Sequence, residues 1–368
     1  MMIKKILIAL FVIICIFAVG YNAYRSEQHA DNGKKKVYAI LPLTGTMASV
    51  GKEVKKTVEV YTQNHPNMPM EVQFYDNQSD PNQTINIAKQ ISFSDTQPLF
   101  MCGVSGLCRP LLPVLPSING FLILSPSPRA ETEDFQNFQR ISFSHLDMNL
   151  PFIEYVKPGQ KVIIIHSNDE TGHSGSRLIS DNLQAKGIDI IEKIAFEHKE
   201  LDNRLIVMKA MSYNPDVIIV TAGPSMGFVK IIKTLKEQEY PGMIFADPSL
   251  RTPSLISLFS EDESQGIYVP VMSTDRIYKE YPQVAKALTD NGLELYNFPI
   301  NVWDTLNILN YFVANNIPFN QSEFIKMGKW HGISGDIVFT ENGNSSYPFI
   351  LSVIKDGKFV PADDGGEK

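Results

Sequence analysis

The chain has 368 residues, of which 43% are hydrophobic and 20% are charged, and its net charge is −7. This length exceeds one ordinary hydrophobic core and predicts two domains, while the composition is that of a globular protein. An acidic chain lacks the basic face that nucleic acid requires, so we expect no nucleic-acid partner.

The first residues indicate an export signal rather than part of the fold. Two lysines precede an uninterrupted apolar run, Ile6–Val19, which ends at Gly20 in a small-x-small pattern. The run is shorter than the roughly 20 residues of a spanning helix, so residues 1–20 are interpreted as a secretory signal, with an uncleaved anchor as the alternative. Residues 21–36 are expected to form a flexible leader and residues 362–368 a polar tail.

From Val37 onward, strand-like and helix-like segments alternate, which predicts parallel sheets with right-handed crossovers. The first series comprises strands at 37–43, 71–76, 98–103 and 121–125, with helices at 51–65 and 82–92. The second comprises strands at 161–166, 188–196, 216–222 and 243–247, with helices at 172–186, 203–212 and 225–238. A late helix at 298–314, a hairpin at 335–343 and a strand at 349–354 follow. Two such series predict two doubly wound α/β lobes.

Cys102 and Cys108 are the two cysteines beyond the apolar N-terminal run. In the oxidising compartment that an exported protein meets, a pair six residues apart can close a small disulfide loop. Two buried free thiols are the alternative. Because no histidine cluster accompanies the pair, we expect no metal site, and no cofactor motif is evident.

Eight short sequence motifs follow one another along the chain. They are Leu41–Gly51, Tyr75–Pro81, Gly103–Gly106, Leu124–Ser127, Lys161–His166, Asn214–Val220, Gly332–Gly343 and Lys355–Val360. In order and spacing these motifs resemble the branched-chain amino-acid (leucine/isoleucine/valine)-binding group of type I periplasmic binding proteins. The resemblance covers nearly all of residues 37–361.

The resemblance implies two lobes that are joined by three crossovers and close on a ligand as a hinged trap. It places residues 37–143 and 272–327 in an N-terminal lobe, and residues 144–271 and 328–361 in a C-terminal lobe. It implies a non-enzymatic, monomeric, extracytoplasmic solute-binding protein. Such a protein captures a small polar, amino-acid-like ligand and hands it to a membrane ABC permease.

The resemblance also implies ligand contacts in the first lobe. Ser105 stands where the family places a hydroxyl on the ligand carboxylate, although a helix N-cap is an alternative role. Ser127 stands where a backbone carbonyl faces the ligand ammonium. Two residues further on, Arg129 replaces the usual hydroxyl, and its guanidinium can clamp an acid or pair with Glu131 or Asp134.

In the second lobe, aromatic positions of the family pattern are replaced. Thr171 stands in place of a tyrosine, and Ser225 lies in a loop that also lacks the usual aromatic residue. Asp247 matches an acid that pairs with an amino group, or it caps a helix ahead of Pro248. Because polar strand ends are kept and aromatic walls are lost, we expect a ligand more polar than a branched-chain amino acid.

Two other classes of function compete with solute binding. Residues Gly172–Ser176 resemble the nucleophile elbow of a hydrolase but lack its final glycine, so we expect no enzyme. The stronger rival is an envelope sensor or protein-interaction module on the same fold, with a degenerate ligand cleft.

Overall fold

The computed structural model describes residues 33–127, 135–197 and 202–362, and the predicted export signal lies outside this range. The strands are β1 (Lys35–Leu41), β2 (Met70–Asp76), β3 (Leu99–Cys102), β4 (Phe121–Leu124), β5 (Phe138–Arg140), β6 (Val162–Ser167), β7 (Ile190–Phe196), β8 (Val217–Thr221), β9 (Met243–Ala246), β10 (Tyr268–Val271), β11 (Lys329–Gly332), β12 (Gly335–Phe339), β13 (Ser345–Ser346), β14 (Ile350–Lys355) and β15 (Lys358–Pro361).

The α-helices within the same ranges alternate with these strands. They are α1 (Ala48–Asn64), α2 (Pro81–Ser92), α3 (Ser105–Cys108), α4 (His145–Tyr155), α5 (Glu170–Ala185), α6 (Arg204–Ser212), α7 (Met226–Glu237), α8 (Pro253–Ile256), α9 (Glu261–Ser264), α10 (Asp275–Glu280), α11 (Pro282–Asp290), α12 (Asn297–Ala314) and α13 (Gln321–Met327).

The first lobe is built on a five-stranded parallel sheet in the order β2-β1-β3-β4-β5. Alternate residues of β1 enter two different cores: Val37 and Ala39 pack on one face, and Tyr38 and Ile40 on the other. Helices α1, α11 and α12 cover the first face, while α2 covers the second. Strands β3 and β4 are almost fully buried, as their short apolar runs predict.

The second lobe is built on a seven-stranded sheet in the order β15-β14-β10-β9-β8-β6-β7. Five of its strands are parallel, and the late strands β14 and β15 add antiparallel at one edge. Helices α6 and α7 cover one face, and α4 and α5 cover the other. The predicted architecture of two doubly wound α/β lobes is therefore confirmed.

Local sequence signals explain where several elements begin. The Asp80 side chain accepts a hydrogen bond from Asn82 N at 2.8 Å, and Pro81 takes the first position of α2. Prolines recur every third residue from Pro110 to Pro116, and the chain there forms a 3₁₀-helix, Arg109–Ile118, instead of a regular α-helix. Proline has no N–H for the α-helical pattern, which accounts for the difference.

The small sheet β11-β12-β13 does not lie in the lobe that was predicted for it. We expected residues 328–361 to lie together in the second lobe. Instead Ile333, Ile337, Phe339 and Tyr347 are buried in the core of the first lobe, and the chain returns to the second sheet at β14. Apolar residues alternate along β12, so one of its faces must be buried, and α13 packs on that face, where the Phe324 ring meets Phe339 at 5.3 Å.

Cys102 and Cys108 are joined as a disulfide at the carboxyl end of β3, with their Cα atoms 5.8 Å apart. Three chain segments connect the lobes: residues 141–144 lead from β5 to α4, residues 272–274 from β10 to α10, and residues 347–349 from β13 to β14. Of the helices in the part of the chain that the structure describes, none is long and apolar enough to cross a membrane.

Candidate functional site

Two hydroxyl groups meet at the carboxyl edge of the first sheet. Ser105 begins α3 after β3, Ser127 follows β4, and their Oγ atoms lie 3.0 Å apart. We call these two groups the hydroxyl pair. Adjacent parallel strands end at the same edge of a sheet, so the short loops after β3 and β4 bring the hydroxyls together. Ser105 is half-buried, whereas Ser127 is almost fully buried.

The backbone that carries the hydroxyl pair is strained at one residue. Val104 adopts a φ of +71°, in the left-handed region that β-branched residues rarely occupy. Its N–H donates to the Pro126 carbonyl at 2.9 Å, which ties the two loops together. Val104 is also the residue before α3, so Ser105 does not take the predicted N-cap position.

The Ser127 carbonyl accepts a hydrogen bond from within the protein. The resemblance placed this oxygen against a ligand ammonium. In the structure it accepts from the Arg140 guanidinium, whose side chain is 1% exposed. Arg140 ends β5, and sequence reasoning did not select it. A basic residue at the end of an otherwise buried strand was the available signal.

Polar groups of the second lobe lie at the carboxyl ends of β6, β8 and β9. Asp169 caps α5 by accepting from Gly172 N at 2.8 Å, which places the half-buried Thr171 in the first turn of that helix. Ser225 caps α7 and accepts from Phe228 N at 3.2 Å. A side chain that caps a helix has a structural role whether or not it also contacts a ligand.

Asp247 takes the capping role that the sequence offered as an alternative. Its carboxylate accepts from Ser249 N at 2.9 Å, from Ser249 Oγ at 2.7 Å and from Thr221 Oγ1 at 3.3 Å. Burial raises the pKa of Asp247 to about 6, and the hydrogen bonds from Ser249 and Thr221 oppose this shift. The acid is 5% exposed.

His166 extends this polar row and was not selected from the sequence. It lies directly opposite Thr221 in the register of β6 and β8, and its Nδ1 is 3.0 Å from the Ser167 carbonyl. Its ring is tilted against His173 at 4.9 Å. Burial lowers its pKa, so a neutral imidazole is favoured, with Nδ1–H donating to the carbonyl.

Trp303 belongs to the core of the first lobe: it is 2% exposed, and its ring meets Tyr61 edge-on at 5.0 Å. Arg129 lies outside the described residues. No group of three or more metal-ligating side chains occurs within residues 33–127, 135–197 and 202–362.

Two cavities in the described part of the first lobe lie away from these strand ends. One of about 610 Å³ is bordered by Tyr311 and Trp330, and one of about 710 Å³ lies at the beginnings of β1, β3 and β4. None of the predicted ligand residues lines either cavity. The candidate ligand site thus rests on the polar groups at the strand ends and not on either cavity.

Comparison with solved structures finds similar two-lobed proteins. A solute binding protein of an ABC transporter from Rhodopseudomonas palustris BisB5, in complex with 3,4-dihydroxybenzoic acid, is 18% identical, with a TM-score of 0.74 over 90% of this chain and 96% of that chain. A leucine binding protein, LivK, from Thermotoga maritima MSB8 is also 18% identical, with a TM-score of 0.74 over 89% and 97% of the two chains. LivJ from Streptococcus pneumoniae, in complex with isoleucine, is 13% identical, with a TM-score of 0.71 over 89% and 97%.

At these identities the solved structures support the fold alone. A search of curated proteins finds no match. The family model described as periplasmic binding protein matches residues 36–291, which is more than half of the chain and includes all the predicted ligand residues. The chain therefore belongs to the periplasmic binding protein family.

Proposed function

We propose that the protein captures a small solute between its lobes, outside the cytoplasm, and delivers it to a membrane ABC transporter. The hydroxyl pair carries the proposal, because it places two hydrogen-bonding groups at the carboxyl edge of a parallel sheet. Family membership supports the same function. A signal in residues 1–20, a monomeric state and the absence of enzymatic activity belong to this proposal.

The proposed ligand is a small polar carboxylic acid of amino-acid size. Hydroxyl groups at the first sheet suit a carboxylate, and the row His166, Thr221 and Asp247 suits a hydroxyl or amino group on the opposite end of the ligand. Similar folds bind isoleucine in one case and 3,4-dihydroxybenzoic acid in another. Amino acids and hydroxybenzoates are therefore the two ligand groups to test. Within this proposal, Thr171 and Ser225 contact the ligand from the second lobe, and Arg129 contacts it from the first.

A second candidate function is a sensor or protein-interaction module with a degenerate cleft. It is favoured by one observation: groups expected on a ligand already have partners within the protein. Arg140 holds the Ser127 carbonyl, Ser249 holds Asp247, and Ser225 caps a helix. Solute binding remains the leading proposal because Ser105 and Thr171 are half-buried at the strand ends rather than enclosed.

A thermal-shift screen with amino acids, small peptides, amides, dicarboxylates and hydroxybenzoates separates the two candidates. A ligand at 100 times its dissociation constant should add about 2.7 kcal/mol to the free energy of unfolding. Native mass spectrometry of the purified protein tests for a ligand that co-purifies. A flat response in both measurements would favour the interaction module.

Ser105→Ala should raise the Kd of the identified ligand about tenfold, because a hydrogen bond to a carboxylate is lost. Isothermal titration calorimetry measures this change. Ser117→Ala is the matched control, since the exposed Ser117 hydroxyl donates only to the Val114 carbonyl within its own helix. Equal affinity of the Ser105 variant and the control would remove the hydroxyl pair from the site.

A further inference from the structure

The loop that carries Ser127 is joined to two of the connections between the lobes. Arg140 lies at their meeting point: it ends β5, immediately before the connection formed by residues 141–144. The other connection, residues 347–349, follows Asn344 and the short strand β13. Arg140 and Ser127 are each 1% exposed, so the contacts between them are shielded from water.

The planar guanidinium of Arg140 contacts both the loop that carries Ser127 and the segment that contains Asn344. Its Nη1 donates to the Ser127 carbonyl, and its Nε donates to Asn344 Oδ1 at 3.1 Å. Gln139 reinforces the same contact, because its Nε2 donates to the Asn344 carbonyl at 3.1 Å. A guanidinium presents its donors in a fixed plane, so one side chain holds Asn344 and the Ser127 carbonyl in a defined relation to each other.

Ser142 provides a second link between the same segments. Ser127 N donates to Ser142 Oγ at 3.0 Å. In turn, Ser142 N donates to Ser345 Oγ at 3.3 Å, and Ser345 Oγ donates to the Ser142 carbonyl at 3.1 Å. Both backbone groups of Ser127 are therefore held by residues that adjoin the connections between the lobes.

The second lobe is attached to this junction through α4. Asp147, in the first turn of α4, accepts from Ser346 Oγ at 2.8 Å. The same helix packs into the core of the second lobe through Phe152 and Ile153. A rotation of the second lobe about its connections must therefore act on the segment that contains Asn344 and Ser345.

We propose that Arg140 is a positioning residue, which, held by Asn344, fixes the Ser127 end of the hydroxyl pair and links ligand contact there to closure of the lobes. The proposal rests on the proposed function for its ligand. The structural part of the proposal, in which Asn344 controls the position of Ser127 through Arg140, does not require a ligand. This link cannot be predicted from local sequence patterns, because Asn344 is far from Ser127 along the chain.

Hydrogen exchange of the ligand-free protein tests the structural part. Asn344→Ala should speed exchange of the Ser127 amide about tenfold, because Arg140 loses its bond to Asn344 and then holds the Ser127 segment, including the bond to Ser142, less firmly. Arg140→Lys keeps the charge but lacks the planar fork, and we expect the same direction of change. Asn291→Ala is the matched control, since the exposed Asn291 donates its Nδ2–H only to the Ala287 carbonyl of α11. An unchanged Ser127 amide in a folded Asn344→Ala protein would overturn the proposal.

Ligand titration and small-angle X-ray scattering test the link to closure. For Asn344→Ala we expect a Kd about tenfold higher and a smaller ligand-induced decrease in the radius of gyration at saturation. Ser105→Ala should also raise the Kd but should keep the full decrease at saturation. A full decrease in Asn344→Ala would overturn the link. If the wild-type protein binds nothing in the screen, the proposed function and the link to closure both fail, while the exchange measurement still decides the positioning of Ser127.

Discussion

Two buried carboxylates hold turns in place at the scale of single residues. Asp304, on α12, accepts from Ile333 N at 2.7 Å and from Ser334 N at 3.1 Å, at the turn between β11 and β12. Asp247 has the same role after β9. Burial raises the pKa of each acid to about 6, against the opposing effect of these hydrogen bonds. Each carboxylate therefore serves first as an acceptor for backbone N–H groups.

Asp304→Ala should lower the free energy of unfolding by about 2–4 kcal/mol, because two buried N–H groups lose their acceptor. Asp304→Asn should cost less, since its amide oxygen can still accept one of the two bonds. Urea unfolding measures both variants. Equal stability of the alanine variant and the wild-type protein would contradict the structural role of this acid.

The raised pKa of Asp247 also predicts a dependence of stability on pH. Between about pH 4 and pH 6 the folded state binds more protons at this acid than the unfolded chain does, so its contribution to stability falls as pH rises. Asp247→Asn removes this contribution. The stability of the wild-type protein relative to the variant should therefore decrease from pH 4 to pH 6 and stay constant above about pH 7. Urea unfolding at several pH values measures the difference, and parallel curves would contradict the shift.

At the scale of elements, α5 approaches the second sheet unusually closely. A Cβ atom on Gly172 would lie 2.1 Å from the Ser167 carbonyl oxygen, and one on Gly175 would lie 2.6 Å from Thr221 Oγ1. The motif that resembled a nucleophile elbow thus has a packing role: its glycines allow the helix N-terminus to rest on the strand ends. Thr171 is held beside those strand ends by the same packing.

Gly172→Ala should destabilise the protein by about 1–3 kcal/mol, because the obstructing atom belongs to the backbone and cannot rotate away. Gly106→Ala is the matched control, since among the described residues no atom outside the neighbouring backbone lies within 4 Å of the added methyl group. Thermal unfolding compares the two variants. A Gly172 variant as stable as the Gly106 variant would contradict the close packing.

The sequence could predict contacts that follow from the order of strands. Ser105 and Ser127 meet because β3 and β4 are adjacent and parallel, which alternation and crossover rules anticipate. The contact between Arg140 and Asn344 could not be predicted, because it depends on where the chain returns after β12. The lobe boundary was misplaced for the same reason: local patterns predict a hairpin at 335–343 but do not say which core covers it.

At the scale of the whole molecule, both lobes depend on late parts of the chain. The first core includes α12 and β12, and the second sheet is extended past β10 by β14. A truncation that removes residues 349–368 should leave β10 as an open apolar edge and should promote association. Size-exclusion chromatography and near-ultraviolet circular dichroism measure the effect. Removal of residues 363–368 alone is the control, and a monomeric, cooperatively folded longer truncation would contradict the expectation.

The three connections between the lobes therefore constrain the folding pathway. The segment between β6 and β10 is contiguous and can collapse as it emerges, but its sheet is not extended past β10 until β14 arrives. The core of the first lobe is incomplete until α12 is synthesised. In the chain, α12 follows the whole contiguous segment of the second lobe. Such long-range pairing slows folding and prolongs the exposure of apolar edges. An architecture with three connections thus also keeps both lobes incomplete until late in the synthesis of the chain.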